Sequence, residues 1–280
     1  MQTENRAQTE NRAQTENRAH TDNSAYIDVR NVTVTYAQKK GEFRALDDVS
    51  LFVGKGEFIC LLGPSGCGKT TLLNVMAGFE KAAKGSVAID GEAVKRPDPR
   101  YVTIFQNYGL LPWRTVRKNV ELGLETKKLP RAQRSKIADR YLEMVGLGDF
   151  RHHHPGQLSG GMQQRVAIAR ALAADPEILF MDEPFGALDA ITRMKLQDDV
   201  RRLSDEEKKT IVFVTHDIEE AVFLADRIVV MTPNPGRIRS IVDVQLGHVR
   251  DRTSDEFIMM RDKIFAVFNM KTERTVEYYI

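Results

Sequence analysis

The stretch Gly63-Pro64-Ser65-Gly66-Cys67-Gly68-Lys69-Thr70 constrains this chain more than any other. It follows Phe58–Leu62 (FICLL), a continuously apolar run of the kind a strand buried on both faces shows. A helix is expected from Thr70 to Ala77. Between strand and helix, Gly66 and Gly68 let the backbone curl so that its amides converge on one point. The helix start adds partial positive charge there. The pattern is G-x-x-x-x-G-K-[ST], which cradles nucleotide phosphates. At average composition it arises by accident in on the order of one per cent of chains this long. Its setting between strand and helix favours a phosphate loop over a merely structural glycine turn. Lys69 is expected to reach the β- and γ-phosphates and the Thr70 hydroxyl to ligate Mg²⁺.

A second buried-strand run, Ile178–Met181, ends in Asp182-Glu183. In an open parallel sheet, ligands gather at the carboxyl ends of strands. Asp182 is placed there to hold Mg²⁺ through water, and Glu183 to orient and deprotonate an attacking water. Two adjacent carboxylates would otherwise repel each other at a solvated strand end, and the metal supplies the missing cation. His216 ends a further apolar run, Ile211–Val214 followed by Thr215. It could donate a hydrogen bond to the γ-phosphate, although a histidine there is usually structural.

The remaining chain frames these motifs. Ile27–Tyr36 (IDVRNVTVTY) and Leu46–Val53 (LDDVSLFV) alternate in the manner of antiparallel strands with one wet face, and Gly85–Asp90 and Tyr101–Phe105 read as further strands. From about 107 to 175 the pattern turns helical, and strands return afterwards. Strands alternating with helices mean α/β, with a mainly helical lobe inserted at mid-chain. Past Arg250, Phe257, Met260, Ile264, Phe265 and Phe268 recur at helical spacing and predict a packed terminal helix. The 41 basic and 39 acidic side chains nearly cancel, which argues against a dedicated nucleic-acid surface. No apolar run approaches the roughly 20 residues of a membrane-spanning helix. Nor does the start show the apolar core of a secretory signal. Cys60 and Cys67 are too few for a disulfide framework and are read as reduced thiols. His152, His153 and His154 are adjacent, so their side chains diverge and are read as loop residues without a metal.

Leu158-Ser159-Gly160-Gly161 is a second glycine turn, but it follows a loop, not a strand. Ser159 is a natural helix N-cap, and Met162, Val166, Ala169 and Ala173 give the helix a buried stripe. Capping does not explain two glycines, which cost chain entropy unless something approaches the backbone closely. The stretch therefore reads as an anion site without a nucleotide of its own.

Together these motifs resemble those of the ATP-binding-cassette ATPases, in family order from Tyr26 to about Gly247. LSGGMQQR is similar to their signature, GPSGCGKT to Walker A and ILFMDEP to Walker B. Gln106 matches the Q-loop, Ala187-Leu188-Asp189 the D-loop and His216 the switch histidine. The resemblance implies a P-loop NTPase fold with a RecA-like core. To it belong an N-terminal antiparallel β-subdomain and an inserted helical subdomain at about 107–175, within a cassette spanning 26–250. Residues 251–280 would form a helical extension. It implies an ATPase with ATP and Mg²⁺, in which Glu183, His216 and Gln106 are catalytic. Tyr36 would stack on adenine, with Gly63, Pro64, Ser65, Gly66, Cys67, Gly68, Lys69, Thr70, Thr71 and Asp182 around the nucleotide. Thr70, Gln106 and Asp182 would serve Mg²⁺, the last through water. Family members pair head to tail, so Leu158, Ser159, Gly160, Gly161, Gln163 and Asp189 would act in trans on the partner's nucleotide.

FQNYGLLPW, PFGALD and MTPNPGRI look like the nitrate/sulfonate/taurine import group. That resemblance implies a separate membrane permease, contacted through Tyr108, Leu111 and Trp113, and an external solute-binding protein. The second ATPase subunit would be the same chain or a close paralogue, at the cytoplasmic face of the bacterial inner membrane. Nucleic acid is not expected as a partner. Chromosome or DNA-repair ATPases with the same signature insert long coiled coils between Walker A and signature. Here that interval is 96 residues (159 − 63) and lacks sustained heptads. Translation-associated relatives carry two cassettes, and this sequence contains one.

The first 25 residues hold three copies of QTENRA and a worn fourth, HTDNSA. Alanine is the repeat's only apolar residue, so stacked copies would bury almost nothing. A disordered tail is expected. Deleting residues 2–25 should leave steady-state ATP turnover within twofold of the full chain; a larger drop contradicts this reading of the tail.

Overall fold

The computed structural model describes residues 25–38, 41–247 and 249–269. In chain order its elements are β1 (Ala25–Gln38), β2 (Gly41–Gly54), β3 (Phe58–Leu62), α1 (Lys69–Met76), β4 (Lys84–Ile89), β5 (Glu92–Ala93) and β6 (Tyr101–Ile104). Then come α2 (Val116–Val120), α3 (Arg131–Met144), α4 (Gly160–Ala173), β7 (Ile178–Asp182), α5 (Ala190–Glu207) and β8 (Thr210–Thr215). The last are α6 (Ile218–Leu224), β9 (Arg227–Thr232), β10 (Arg237–Asp243) and α7 (Asp255–Asn269). The architecture is α/β, as expected. The QTENRA repeats and residues 270–280 lie outside the described residues; Ala25 already belongs to β1.

The chain divides into two units, one running to Lys95 and resuming at Val214, the other spanning Arg96–Phe213. In the first, β2, β1, β4 and β5 form an antiparallel sheet in that order. Strict alternation breaks in β1 between Val29 and Val32, where Asn31 turns left-handed and the register shifts. The extra residue returns Val29 and Val32 to the buried face. The same unit holds β3 parallel to β9 and β9 antiparallel to β10. All five residues of β3 are buried. Burial of each large one is worth roughly 1.5–3 kcal/mol, which anchors the loop that follows.

After β10, the segment leading to α7 clamps α6. The Arg250 guanidinium, 2% exposed, donates to the carbonyls of Val222, Phe223 and Ala225 at 2.8, 3.0 and 2.7 Å. These are the groups a helix leaves without intrahelical donors at its C-terminal end. Arg252 stacks over the Phe223 ring at 3.4 Å, and Arg261 pairs with Glu219 at 3.5 Å. Phe257 and Ile264 of α7 are buried as the spacing predicts, but Phe265 is exposed. A 3.6-residue period sets consecutive residues about 100° apart, so Ile264 and Phe265 cannot share a narrow stripe.

In the second unit, β6 and β7 pair in parallel, β8 lies beside β7, and Phe185 packs on Phe213 with ring centroids 5.6 Å apart. The helix α4 is buried almost all round from Val166 to Ala173, wider than the stripe read from its sequence. Asn119 of α2 is fully buried and organises the preceding loop. Its Oδ1 accepts from the Leu111 amide at 2.8 Å, while Nδ2 donates to the carbonyls of Leu111, Arg114 and Thr115, each at 3.1 Å.

The clamp on α6 gives a stability test. Arg250→Ala strips a buried donor from three carbonyls, at a cost of about 3 kcal/mol. Scanning calorimetry should show Tm lowered by roughly 6–12 °C. An unchanged Tm would mean water replaces the guanidinium without loss.

Candidate functional site

The phosphate loop belongs to the first unit. Gly66 and Gly68 lie in the left-handed region, at φ 76° and 90°. Gly68 is also tightly packed: a Cβ there would come within 2.6 Å of the Leu46 side chain and 3.0 Å of the Ala45 carbonyl. At Gly63 a Cβ would lie 2.5 Å from Cys67 Sγ. Gly236, in the turn between β9 and β10, supports the loop from outside. Its amide donates to Ala45 O at 3.0 Å, and a Cβ on it would collide with the Cys67 carbonyl. The PNPG stretch, read from sequence as a subgroup marker, thus has a local job under the loop. Both cysteines are free and buried, and burial raises their thiols' pKa, Cys60 most strongly.

Lys69, only 6% exposed, folds over this loop and donates to the carbonyls of Gly63 at 2.7 Å and Pro64 at 3.1 Å. These neutral acceptors leave the ammonium its full charge. The first turn of α1 carries no acidic residue, and Gly68 offers no side-chain cap to compete for its amides. A buried cation beside left-handed glycines and uncapped amides suits a polyphosphate. Thr70 is exposed beside Lys69. Tyr36, at the end of β1, is 38% exposed; its hydroxyl donates to Glu80 at 3.3 Å and also bonds Thr71 of α1. Desolvation, foremost, raises its pKa. These bonds hold the hydroxyl end of the ring while the residue remains partly exposed. His216 is exposed directly after β8. It is followed by a rigid turn in which Thr215 donates to Glu220 at 2.7 Å and Asp217 caps α6.

The carboxylates belong to the second unit. Asp182, buried, closes β7; Glu183 is half-buried at φ 45°, a left-handed conformation that side chains normally avoid. A carboxylate oxygen such as that of Asp182 is a donor that Mg²⁺ takes alongside phosphates. Three hydrogen bonds shape the Glu183 turn. Its carbonyl accepts from Gly186 N at 3.3 Å and from Gln164 Nε2 at 3.4 Å, and Gln164 Oε1 accepts from Ala187 N at 3.1 Å. Gln164 was not singled out from sequence. It sits between Gln163 and Arg165 on α4, and only the tertiary fold reveals its partners. Asp189, expected to act in trans, caps α5 within its own chain by accepting from Thr192 N at 3.0 Å, which lowers its pKa.

The second glycine turn is the N-terminus of α4. Ser159 Oγ accepts from Met162 N at 3.3 Å, Gln163 donates to the Leu158 carbonyl at 3.2 Å, and Ser159 and Gly160 are exposed. The two glycines differ. A Cβ on Gly161 would stand 3.1 Å from the Ala187 carbonyl, whereas one on Gly160 would meet only the Tyr108 hydroxyl at 3.5 Å. Close approach, expected from an external anion, comes at Gly161 from the chain's own Ala187.

Gln106 is exposed after β6, beside the part-exposed Phe105. Arg170 of α4 grips the loop that follows, donating to the carbonyls of Tyr108 and Gly109 at 2.7 Å each. Tyr108 and Leu111 are half-buried, and Trp113 is 72% exposed, so it is not a core residue. His153 packs on Phe150 with centroids 5.2 Å apart, and the His154 amide donates to Gln157 at 2.7 Å.

The family model described as ABC transporter matches residues 46–186. An uncharacterised ABC transporter ATP-binding protein of Methanocaldococcus jannaschii is 51% identical over 241 residues, covering 86% of this chain and 90% of that protein. A nitrate import ATP-binding protein of Synechococcus elongatus is 46% identical over 78% of this chain and 81% of its own length. A bicarbonate transport ATP-binding protein of Synechocystis is also 46% identical, with 81% of each chain covered. Among solved structures, an ATP-binding cassette in a dimeric post-hydrolysis state bound to ADP and Pi is similar. It has a TM-score of 0.73 and 38% identity, covering 79% of this chain and all of that one.

The contrast between the two glycines is measurable. Alanine in place of glycine stabilises a helix by up to about 1 kcal/mol. Gly160→Ala should gain most of this in chemical denaturation. Gly161→Ala should fall about 1 kcal/mol or more behind it, because the Ala187 carbonyl must give way. Equal gains at both positions contradict the close approach.

Proposed function

The chain belongs to the ABC transporter family, and from that membership we propose that it powers import of a small anion, working as two copies around two ATP molecules. It is a transport ATPase of the nitrate-type group. The observation that carries the pairing is that one chain has two helix starts suited to phosphate. At α1 the buried Lys69 lies within a glycine loop; at α4 Ser159 and Gly160 face outward. A second copy would give each triphosphate both. The similarity to a cassette described as dimeric with ADP and Pi supports this.

In this mechanism Tyr36 stacks on adenine, and the amides of Gly66–Thr70 with Lys69 hold the β- and γ-phosphates. Mg²⁺, held by Thr70, Gln106 and through water by Asp182, would neutralise charge on the phosphate oxygens. Glu183 takes a proton from water as the water oxygen attacks the γ-phosphorus. The bond to the β–γ bridging oxygen breaks, giving ADP and phosphate. His216 donates to the γ-phosphate. Ser159 and Gly160 of the other copy, with Leu158, Gly161, Gln163 and Asp189 shaping that edge, contact the same phosphate, so hydrolysis removes what joins the copies.

Energy would leave through the loop after Gln106. Apolar side chains held outward on a braced loop suit a protein partner. Trp113 is such a side chain, with exposed Phe105 just before Gln106, and Arg170 and Asn119 are the braces. The partner proposed is a membrane permease fed by an external solute-binding protein. No helix among the described residues is long and apolar enough to cross a membrane. In this proposal the chain attaches peripherally, through the permease, at the cytoplasmic face of a cell membrane. Relatives named for nitrate and bicarbonate favour a small oxyanion as cargo.

Glu183→Gln tests the base and the pairing together. Turnover should fall at least a hundredfold while ATP binding persists, and size exclusion with ATP should show a dimer. Normal hydrolysis by this variant would remove Glu183 from the mechanism.

A further inference from the structure

Among buried polar groups that the mechanism above leaves unused, one touches the turn that carries the base. Gln164 is 2% exposed, and its amide is used at both ends. Nε2 donates to the Glu183 carbonyl at 3.4 Å, and Oε1 accepts from the Ala187 amide at 3.1 Å. Those two residues bracket the sharp turn Glu183–Ala187, and the first of them holds a left-handed backbone that its side chain disfavours. Such a conformation persists only where the surroundings over-determine it. Here the surroundings include the amide of Gly186, on the same carbonyl, and the Gln164 side chain.

We propose that Gln164 is the positioning residue for Glu183, and that it links the base mechanically to the first turns of α4. This deepens the function proposed above and rests on its assignment of Glu183 as base. Gln164 lies five residues after Ser159 on one continuous helix, so it moves with the turn that Ser159 caps. Gly161 of that turn meets the carbonyl of the same Ala187 whose amide Gln164 holds. The start of α4 and the Ala187 peptide are thus joined on both sides of that residue. A phosphate drawn against Ser159 would shift α4, and Gln164 would carry the shift to the Glu183 carbonyl. Gln164 touches neither water nor nucleotide in this scheme. Its effect passes through the orientation of the Glu183 backbone, and hence through turnover and not through ATP affinity.

Two substitutions separate this role from a general packing role. Gln164→Leu removes both hydrogen bonds at similar size. Gln164→Glu removes only the donor to Glu183 and keeps an acceptor for Ala187 N. In steady-state assays each should lower kcat at least tenfold while KM for ATP stays within twofold. If Gln164→Leu fails to fold, the Gln164→Glu result decides. Turnover within twofold of the parent, or a KM that changes in step with kcat, overturns the proposal. Glu183→Gln measured alongside separates the two levels. If it is inactive while the Gln164 variants turn over normally, only the positioning role fails. If it stays active, the base assignment fails and this inference with it.

Discussion

The constraint on which this structure depends is the need to meet a concentrated negative charge with donors that do not collapse the fold when they are buried. A cluster of lysines in one place would repel itself. The chain uses one buried ammonium, Lys69, set among carbonyls of its own loop, and leaves the rest to backbone amides. Amides can converge only where the backbone turns left-handed, which places glycine at positions 66 and 68. That loop in turn needs a rigid seat. The fully buried β3, the Leu46 side chain and the Gly236 backbone supply it from three directions. Most of the first unit's layout follows from holding those few peptide groups still.

Much of this was legible in the sequence, because its signals are local. An unbroken apolar run such as Phe58–Leu62 or Ile178–Met181 announces a buried strand wherever it sits, and a glycine-rich loop between strand and helix announces a phosphate cradle. The less legible features depend on residues far apart in the chain. Nothing near Gln164 in sequence indicates that its partners lie 19 and 23 positions away. Nothing in the sequence marks Asn119 as the residue whose amide the loop from Leu111 to Thr115 wraps. Gly161 shows the same limit. Its close approach was foreseeable from the entropy cost of a glycine there, but the atom approaching it, the Ala187 carbonyl, was not. Phe265 failed for a different reason, since helical spacing alone does not say how wide the buried stripe is.

In the second unit, α4 emerges as the element on which several functions converge. Its first turn presents Ser159 and Gly160, Gln164 holds the Glu183 turn, and Arg170 grips the loop that bears Trp113. A buried amide such as Gln164 must be satisfied, and the partners of Gln164 and Arg170 are backbone carbonyls and amides of functional loops. One helix therefore joins the proposed phosphate contact, the proposed base and the proposed permease surface by direct hydrogen bonds. Nucleotide state and transporter contact can then be coupled without a long-range relay, through rigid movement of a single well-packed helix.

The central claim is that each triphosphate is enclosed by two copies, one supplying the glycine loop and the other the start of α4. The most direct measurement is an experimental structure of the Glu183→Gln chain with ATP and Mg²⁺. The account expects Ser159 Oγ within about 3 Å of a γ-phosphate whose glycine loop belongs to the other copy. A bound triphosphate contacted by one copy alone, with Ser159 of every copy facing solvent, would contradict it.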